Sequence, residues 1–451
     1  MSRNIEQVSA KEAYERAKSN PQRRYPSPNL GANRLRPTAT PTGRPSFQIS
    51  PDESFFTIGS CFARSLEVAL INAGMQVTSH EVDLGIIGDS RGFTPNFFNK
   101  YSVHSIYNDL KWALERETFP GADILYHVEG KSWYADLQLG LAKLEFPVEA
   151  ILAFRTQYLD VLARVADADI VVVTLGYVET WFDTKLGIYI NTSPPLALVN
   201  AEPDRFEFRV LSYEDVLSGL HDIRELLEKH RTKPLRMLLT VSPVPLLSTF
   251  RDMDVLVANT YSKSVQRAAI DAFIRDSDNI DYFPSYEFVM LSNPDVAWQD
   301  DDFRHVSPDL VASIMANVID QYITDPTNID GEQSIAHNVA ATMRLSAKAK
   351  DYHGVITAAE GAPDLVTRST DLMLLLAQAH VQIGDTGTAI DLLVDADNLP
   401  TSKGGPLEAL INLALDVGEI EVARHYLKEH EQRYPKRAGF RNRTLRANNL
   451  G

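Results

Sequence analysis

The chain has 451 residues and a formal net charge of −16, with 44% hydrophobic and 23% charged residues. This is the balance of a folded globular protein, long enough for more than one hydrophobic core. The acidic excess excludes a large nucleic-acid footprint and disfavours anionic membrane surfaces, since both need clustered Lys and Arg.

The opening residues, MSRNIEQVSAKEAYERAK, contain no apolar h-region, and no run of about 18 apolar residues occurs. Neither a signal peptide nor a membrane span is expected. A single cysteine rules out an intrachain disulfide framework and a multi-cysteine metal site. The cytoplasm is the simplest location, because a lone thiol stays reduced there.

Residues 1–50 are rich in Pro, Asn and Arg and read as an extended arm without a core of its own. Residues 51–325 then alternate between strand and helix patterns. Residues 54–58 form a short apolar strand. Residues 61–73 carry apolar side chains at helical spacing, and Gly74 is placed as a stop. IVVVTL at 170–175 suits a strand covered on both faces. A long amphipathic helix follows over 213–230, then a buried strand at 237–241, a helix at 261–274 and a short strand at 280–283. Ser307 and Pro308 suit the cap and first turn of a helix running to about residue 323. Such alternation predicts parallel strands with helices on both faces, a three-layer α/β/α domain.

Beyond residue 325 the strand signals stop, and 336–435 read as helix throughout. Leu376, Gly384 and Ala389 recur as Leu410, Gly418 and Ala423, each 34 residues on (410 − 376, 418 − 384, 423 − 389). Asp351 and Asp385 share that spacing. A 34-residue period is that of tetratricopeptide-like helical hairpins, with small residues where helices approach closely. Either a docking surface for a protein or glycan, or a stabilising cap, fits this pattern. Residues 436–451 read as a tail.

Candidate chemistry gathers at Ile58-Gly59-Ser60-Cys61. A nucleophile between a strand's carboxyl end and a helix is exposed where α/β folds bind ligands. The helix N-terminus favours a thiolate, and nearby backbone N–H groups can hold an oxyanion. The competing reading is a buried Cys61 with Ser60 as a simple helix cap. Asp302 and His305 stand in the polar loop QDDDFRHVSP, spaced so that the carboxylate can turn back and orient the imidazole. Glu179 and Trp181 follow a buried strand at the same rim, and Ser242 ends another; each suits either substrate contact or a structural bond. Tyr261-Ser262-Lys263 reads as the solvated start of a helix. No HExxH, P-loop or dinucleotide fingerprint is present. His425 and His430, five apart, do not share a helix face well, so no metal site is expected.

Gly59-Ser60-Cys61-Phe62-Ala63 is the signature of the GSCFA family, a branch of the SGNH/GDSL-like hydrolase superfamily. TLGYVETW (174–181), LTVSPVPL (239–246), ANTYSK (258–263) and YFPSYE (282–287) also resemble that family, in order, across residues 50–320. The resemblance implies a flavodoxin-like sheet, with Cys61 in the place of the superfamily's serine and Asp302 and His305 as its acid and base. The superfamily's Gly-x-Asn oxyanion element falls at Gly176-Tyr177-Val178, without the asparagine. The N–H groups of Cys61 and Gly176 then remain as oxyanion donors. Gly88-Asp89-Ser90 spells the superfamily signature literally, but Gly92 and Pro95 stop a helix there, and a surface turn is expected.

The expected activity is ester hydrolysis through Cys61 without a cofactor, and the resemblance implies an O-acylated carbohydrate as substrate. The alternatives are acyl transfer from a donor such as acyl-coenzyme A, or a non-catalytic scaffold acting through the helical repeats.

Overall fold

Residues 6–27, 34–79, 98–299, 302–324 and 331–448 are described by the computed structural model. The chain divides into two units, Met1–Asp330 and Gly331–Gly451. Gly88-Asp89-Ser90 lies outside the described residues.

The arm is not wholly extended. Ala10–Ser19 form a helix, α1, because the Ser9 side chain accepts from the N–H of Glu12 and Glu12 pairs with Arg16 one turn on. Later arm residues are tied down. The N–H groups of Ala39, Gly43 and Ser46 donate to Ser292 Oγ, Gln321 Oε1 and Asp281 Oδ2, and Ala39, Phe47 and Ile49 are buried.

The next elements are β1 (Ser54–Gly59), α2 (Cys61–Asn72), β2 (Gln76–Val77) and α3 (Val103–Leu114). A small antiparallel sheet of β3 (Leu125–His127), β4 (Tyr134–Asp136) and β5 (Leu141–Leu144) precedes α4 (Val148–Ala163). After β6 (Ile170–Leu175), the strands β7 (Glu179–Asp183) and β8 (Ile188–Ile190), the helix α5 (Leu196–Ala201) and the strand β9 (Phe206–Val210) build a second antiparallel sheet, ordered β8-β7-β9. The chain continues through α6 (Tyr213–His230), β10 (Arg236–Val241), α7 (Val255–Arg275) and β11 (Ile280–Tyr282). It closes with α8 (Ser285–Leu291), α9 (Pro294–Ala297) and α10 (Pro308–Tyr322).

A central sheet of five strands, ordered β11-β10-β6-β1-β2, has every pair parallel. Counted in chain order these strands run 2-1-3-4-5, the flavodoxin-like doubly wound arrangement, which reverses direction between β1 and β6. Alternate side chains explain how both faces are covered. Phe56, Ile58, Val171, Val173, Met237 and Leu239 join one core with residues of α3, α4, α6 and α7. From the opposite face, Thr57 Oγ1 donates to Glu67 of α2, and Thr240 hydrogen-bonds Ser285 of α8.

The sequence pattern places β6, α6 and the Ser307 cap where they occur. It misses both antiparallel sheets, whose strands are three to five residues long and mostly half-buried. Too few residues alternate for the two-residue period to stand out. The helix expected over 261–274 begins earlier, at Val255, because the Asp254 side chain accepts from the N–H of Leu256.

The second unit is helical: α11 (Gly331–Lys348), α12 (Tyr352–Glu360), α13 (Pro363–Val366), α14 (Thr370–Gln382), α15 (Thr386–Asn398), α16 (Gly405–Asp416), α17 (Ile420–Arg433) and α18 (Ala438–Asn448). The last of these replaces the expected tail. Left-handed backbone recurs at Lys350 (φ 59°), Gly384 (φ 86°) and Gly418 (φ 82°), spaced by 34 residues (384 − 350, 418 − 384). Ala389 and Ala423 are both fully buried, consistent with small residues at close helix approaches.

Candidate active site

Cys61 occupies the first position of α2, directly after β1, and β6 beside it ends at Leu175. This is the switch point of the sheet, where helices leave on opposite faces and a crevice opens. Gly59 makes the turn with φ 134°, and a Cβ there would sit 2.1 Å from the Thr174 carbonyl oxygen. Ser60 caps α2: its Oγ accepts from Phe62 N–H at 3.3 Å and lies 3.1 Å from Thr174 Oγ1. That bonding gives Ser60 a structural occupation.

The segment around Tyr101 crosses the floor of the crevice. Lys100 N–H donates to the Gly59 carbonyl, while the Tyr101 carbonyl accepts from both Gly176 and Tyr177 N–H at 3.0 Å. A buried network in which Asp109 binds Lys100 (3.2 Å) and Arg155 (3.0 Å) anchors that segment. The Gly176 N–H is therefore spent, which corrects its assignment as an oxyanion donor. Gly176 is needed for another reason, since a Cβ there would lie 2.8 Å from Tyr101 O.

A pocket of about 290 Å³ opens above this floor, lined by Ser60, Cys61, Gly176, Glu179, Trp181 and Ser242 among others. Sequence reasoning named these six and missed the rest of the wall. One side is apolar: Trp181 meets Phe250 edge-on at 5.0 Å and Phe208 at 5.4 Å, with Val244–Leu247 continuing it. Tyr101, Tyr177, Asn191, Thr192, Ser193 and Arg304 also line it. Asn191 is engaged at both ends, accepting from Tyr101 N–H (2.9 Å) and donating to Asn99 O (2.7 Å). No local sequence signal marks Asn191, because only tertiary folding brings β8 to the crevice.

Glu179 and Ser242 hold loops. Glu179 accepts from Thr249 Oγ1 (2.7 Å) and Phe250 N–H (3.2 Å), so both its oxygens fix the loop that carries Phe250 over Trp181. Glu179→Ala is expected to cost about 1–3 kcal/mol of local stability. It should also raise KM more than it lowers kcat; unchanged tryptophan emission and unchanged KM would sink this assignment. Ser242 is fully buried, donates its N–H to Leu175 O at 2.8 Å and accepts from Val244 N–H at 3.3 Å.

Asp302 and His305 are brought together. The Asp302 carboxylate accepts from the backbone N–H groups of Arg304 and His305 and bonds the His305 ring at Nδ1. The bond to His305 holds the Asp302 carboxyl below its ordinary range. The imidazole is half exposed, and among the described residues no hydrogen bond joins it to Cys61. Its neighbour Arg304 lines the pocket instead.

Lys263 overturns its reading as a solvated helix start. It lies inside α7, is 1% exposed, and donates from Nζ to Gly176 O (2.7 Å) and Val244 O (2.8 Å). Among the described residues it has no carboxylate partner, and Cys61 is the acidic group that acts on its charge. Burial pushes the Lys263 ammonium down to about 7. Burial likewise pushes the Cys61 thiol up, against the downward pull of Lys263, Arg304 and the N–H groups of Cys61 and Phe62. The depressed thiol expected from the helix N-terminus is thus not reached, because desolvation outweighs it.

Among the described residues no group of three or more His, Cys, Asp or Glu could hold a metal ion. Nor, among them, is any helix long and apolar enough to cross a membrane.

Fold and pocket define an α/β protein with a lone cysteine at the switch point of a five-stranded parallel sheet. The model of the GSCFA family matches residues 54–317, more than half of the chain, and the chain belongs to that family. No curated protein and no solved structure matches it.

Proposed function

We propose that this protein is an acyl-transfer enzyme of SGNH-like, three-layer type that cleaves O-acyl esters of carbohydrates through Cys61. The observation that carries the reading is the position of Cys61, at the carboxyl rim of β1, inside a pocket and beside a buried lysine that has no carboxylate partner among the described residues.

In this mechanism the Cys61 thiol gives its proton to His305, and the thiolate attacks the acyl carbonyl. Asp302 keeps the imidazole in the correct tautomer. As the tetrahedral adduct collapses, imidazolium returns the proton to the leaving alcohol, and a thioester on Cys61 remains. Water, deprotonated by His305, then attacks the thioester and releases the acid and the thiol. His305 reaches hydrogen-bond range of Cys61 when substrate is bound, as catalytic contacts often tighten only in the complex. The N–H of Cys61 is the oxyanion donor that this reading retains. An alcohol can replace water as acceptor, which makes acyl-coenzyme A an alternative donor for transfer to a glycan; no other cofactor is assigned. Aromatic rings facing amide and hydroxyl groups suit a sugar, whose ring has apolar faces and polar edges.

The test is intact-protein mass spectrometry after incubation with 4-nitrophenyl acetate or acetyl-coenzyme A. An acetyl adduct on Cys61 supports the mechanism, and its absence under both conditions refutes it.

As an ammonium, Lys263 favours the Cys61 thiolate, while burial opposes both charges. In Lys263→Met, the pH at which iodoacetamide modifies Cys61 at half its maximal rate should move upward, because a cation favouring the thiolate is gone. An unmoved profile would show that Lys263 merely ties down the Gly176 and Val244 carbonyls.

For the second unit, the 34-residue recurrence supports tetratricopeptide-like hairpins that dock a protein partner. A working thiol needs a reducing compartment, and we assign the cytoplasm.

A further inference from the structure

Among the described residues, Arg304 is a cation in the pocket without an anion. It lines the cavity beside Cys61. Its Nε is buried without a hydrogen-bond partner, and among the described residues it forms no ion pair. Among the described residues, the carboxylate that lines the pocket and the one two residues from Arg304 are already engaged. Asp302 is taken by His305 and by the backbone N–H groups of Arg304 and His305, and Glu179 is taken by Thr249 and Phe250. Asp302 thereby fixes the main chain of Arg304 while leaving its guanidinium to the pocket. The charge of Arg304 reaches Cys61, Tyr101 and Tyr177, so it bears on the atoms around the thiol.

The surrounding charge makes this arrangement informative. The chain carries a net −16, so carboxylates to pair a surface guanidinium are plentiful, yet this one has none among the described residues. A half-buried guanidinium with an unsatisfied N–H is costly unless a ligand supplies acceptors. Its planar fork matches a carboxylate, which it can bind through two parallel hydrogen bonds.

We propose that Arg304 is an anion subsite and that the substrate carries a carboxylate within reach of Cys61. That carboxylate comes either from the acyl group, as in a dicarboxylic half-ester, or from the alcohol, as in an acylated uronic acid. The proposal rests on the acyl-transfer reading only for the substrate's identity as an ester; the anion subsite itself can be tested without turnover.

Three esters separate the sources: O-acetyl methyl glucoside, O-acetyl glucuronic acid and O-succinyl methyl glucoside, with acid release measured for wild type, Arg304→Gln and Arg304→Lys. One of the two anionic esters should exceed the neutral one in kcat/KM by about tenfold or more, since a charge-assisted bidentate bond is worth more than about 1.4 kcal/mol. Arg304→Gln should lose at least that factor more on the preferred anionic ester than on the neutral one, with partial rescue in Arg304→Lys. Equal losses on neutral and anionic esters would overturn the proposal. The binding arm uses Cys61→Ala protein and reads the melting temperature with succinate, glucuronate or methyl glucoside added. A rise with a carboxylate probe that disappears on adding Arg304→Gln supports the subsite even if no ester is turned over. No rise with either carboxylate, or a rise that survives Arg304→Gln, overturns it. Unliganded melting temperatures of the variants identify any failure to fold.

Discussion

Cys61→Ala is expected to abolish the acyl adduct and to reduce ester turnover by on the order of 10³-fold or more, the scale on which a covalent nucleophile is missed. The fold should survive, because the cap of the turn does not come from the thiol. Ser60, not Cys61, provides the side-chain cap of α2. Circular dichroism and melting temperature would check that point, while acid release and intact mass would check the chemistry. Cys61→Ser sharpens the result. A serine in the same place would be a poorer nucleophile in a pocket whose burial already opposes ionisation of the thiol. Its residual hydrolysis, if measurable, should accumulate no thioester. Full activity in Cys61→Ala would remove Cys61 from the mechanism altogether.

The second large effect concerns stability. Gly59→Ala should destabilise the first unit by about 3 kcal/mol or more, combining an unfavourable backbone region with overpacking. The new methyl would lie 2.1 Å from Thr174 O, 2.6 Å from Thr174 Oγ1 and 2.8 Å from Thr174 C. Thr174 is the β6 partner of Gly59 in the parallel ladder, and its carbonyl accepts from Ser60 N–H at 3.0 Å. Relief of the clash must therefore part β1 from β6 at the mouth of the crevice. Gly187→Ala is the matching control: its φ is also positive, at 67°, but nothing lies within 4 Å of the added Cβ. That variant should cost about 1 kcal/mol. Equal melting temperatures for the two variants would show that the contact with Thr174 relaxes freely.

Much of the architecture is legible along the chain because its signals are local. The buried run at Ile170–Leu175, the helix Tyr213–His230 and the Ser307-Pro308 cap each depend on neighbours within a turn or a strand. The turn at Gly59-Ser60-Cys61 and the Asp302–His305 contact are legible for the same reason, as their partners lie within three residues.

What the tertiary structure decided is which of these groups remain available. Ser60, Gly176 and Glu179 all reach the pocket, yet the polar groups that recommended them are bonded to Thr174, Tyr101 and Thr249, from other parts of the chain. Lys263 sits in a polar-looking stretch, and only the packing of α7 buries it behind Gly176. Arg304 reads as one more charge in an acidic loop until the fold leaves its guanidinium, among the described residues, without an acid. Residue spacing along the chain determined where Cys61 and a histidine oriented by Asp302 stand. Burial and hydrogen bonding across long sequence separations, which no local pattern encodes, determined their electrostatic setting and the shape of the pocket that Cys61 and Arg304 line.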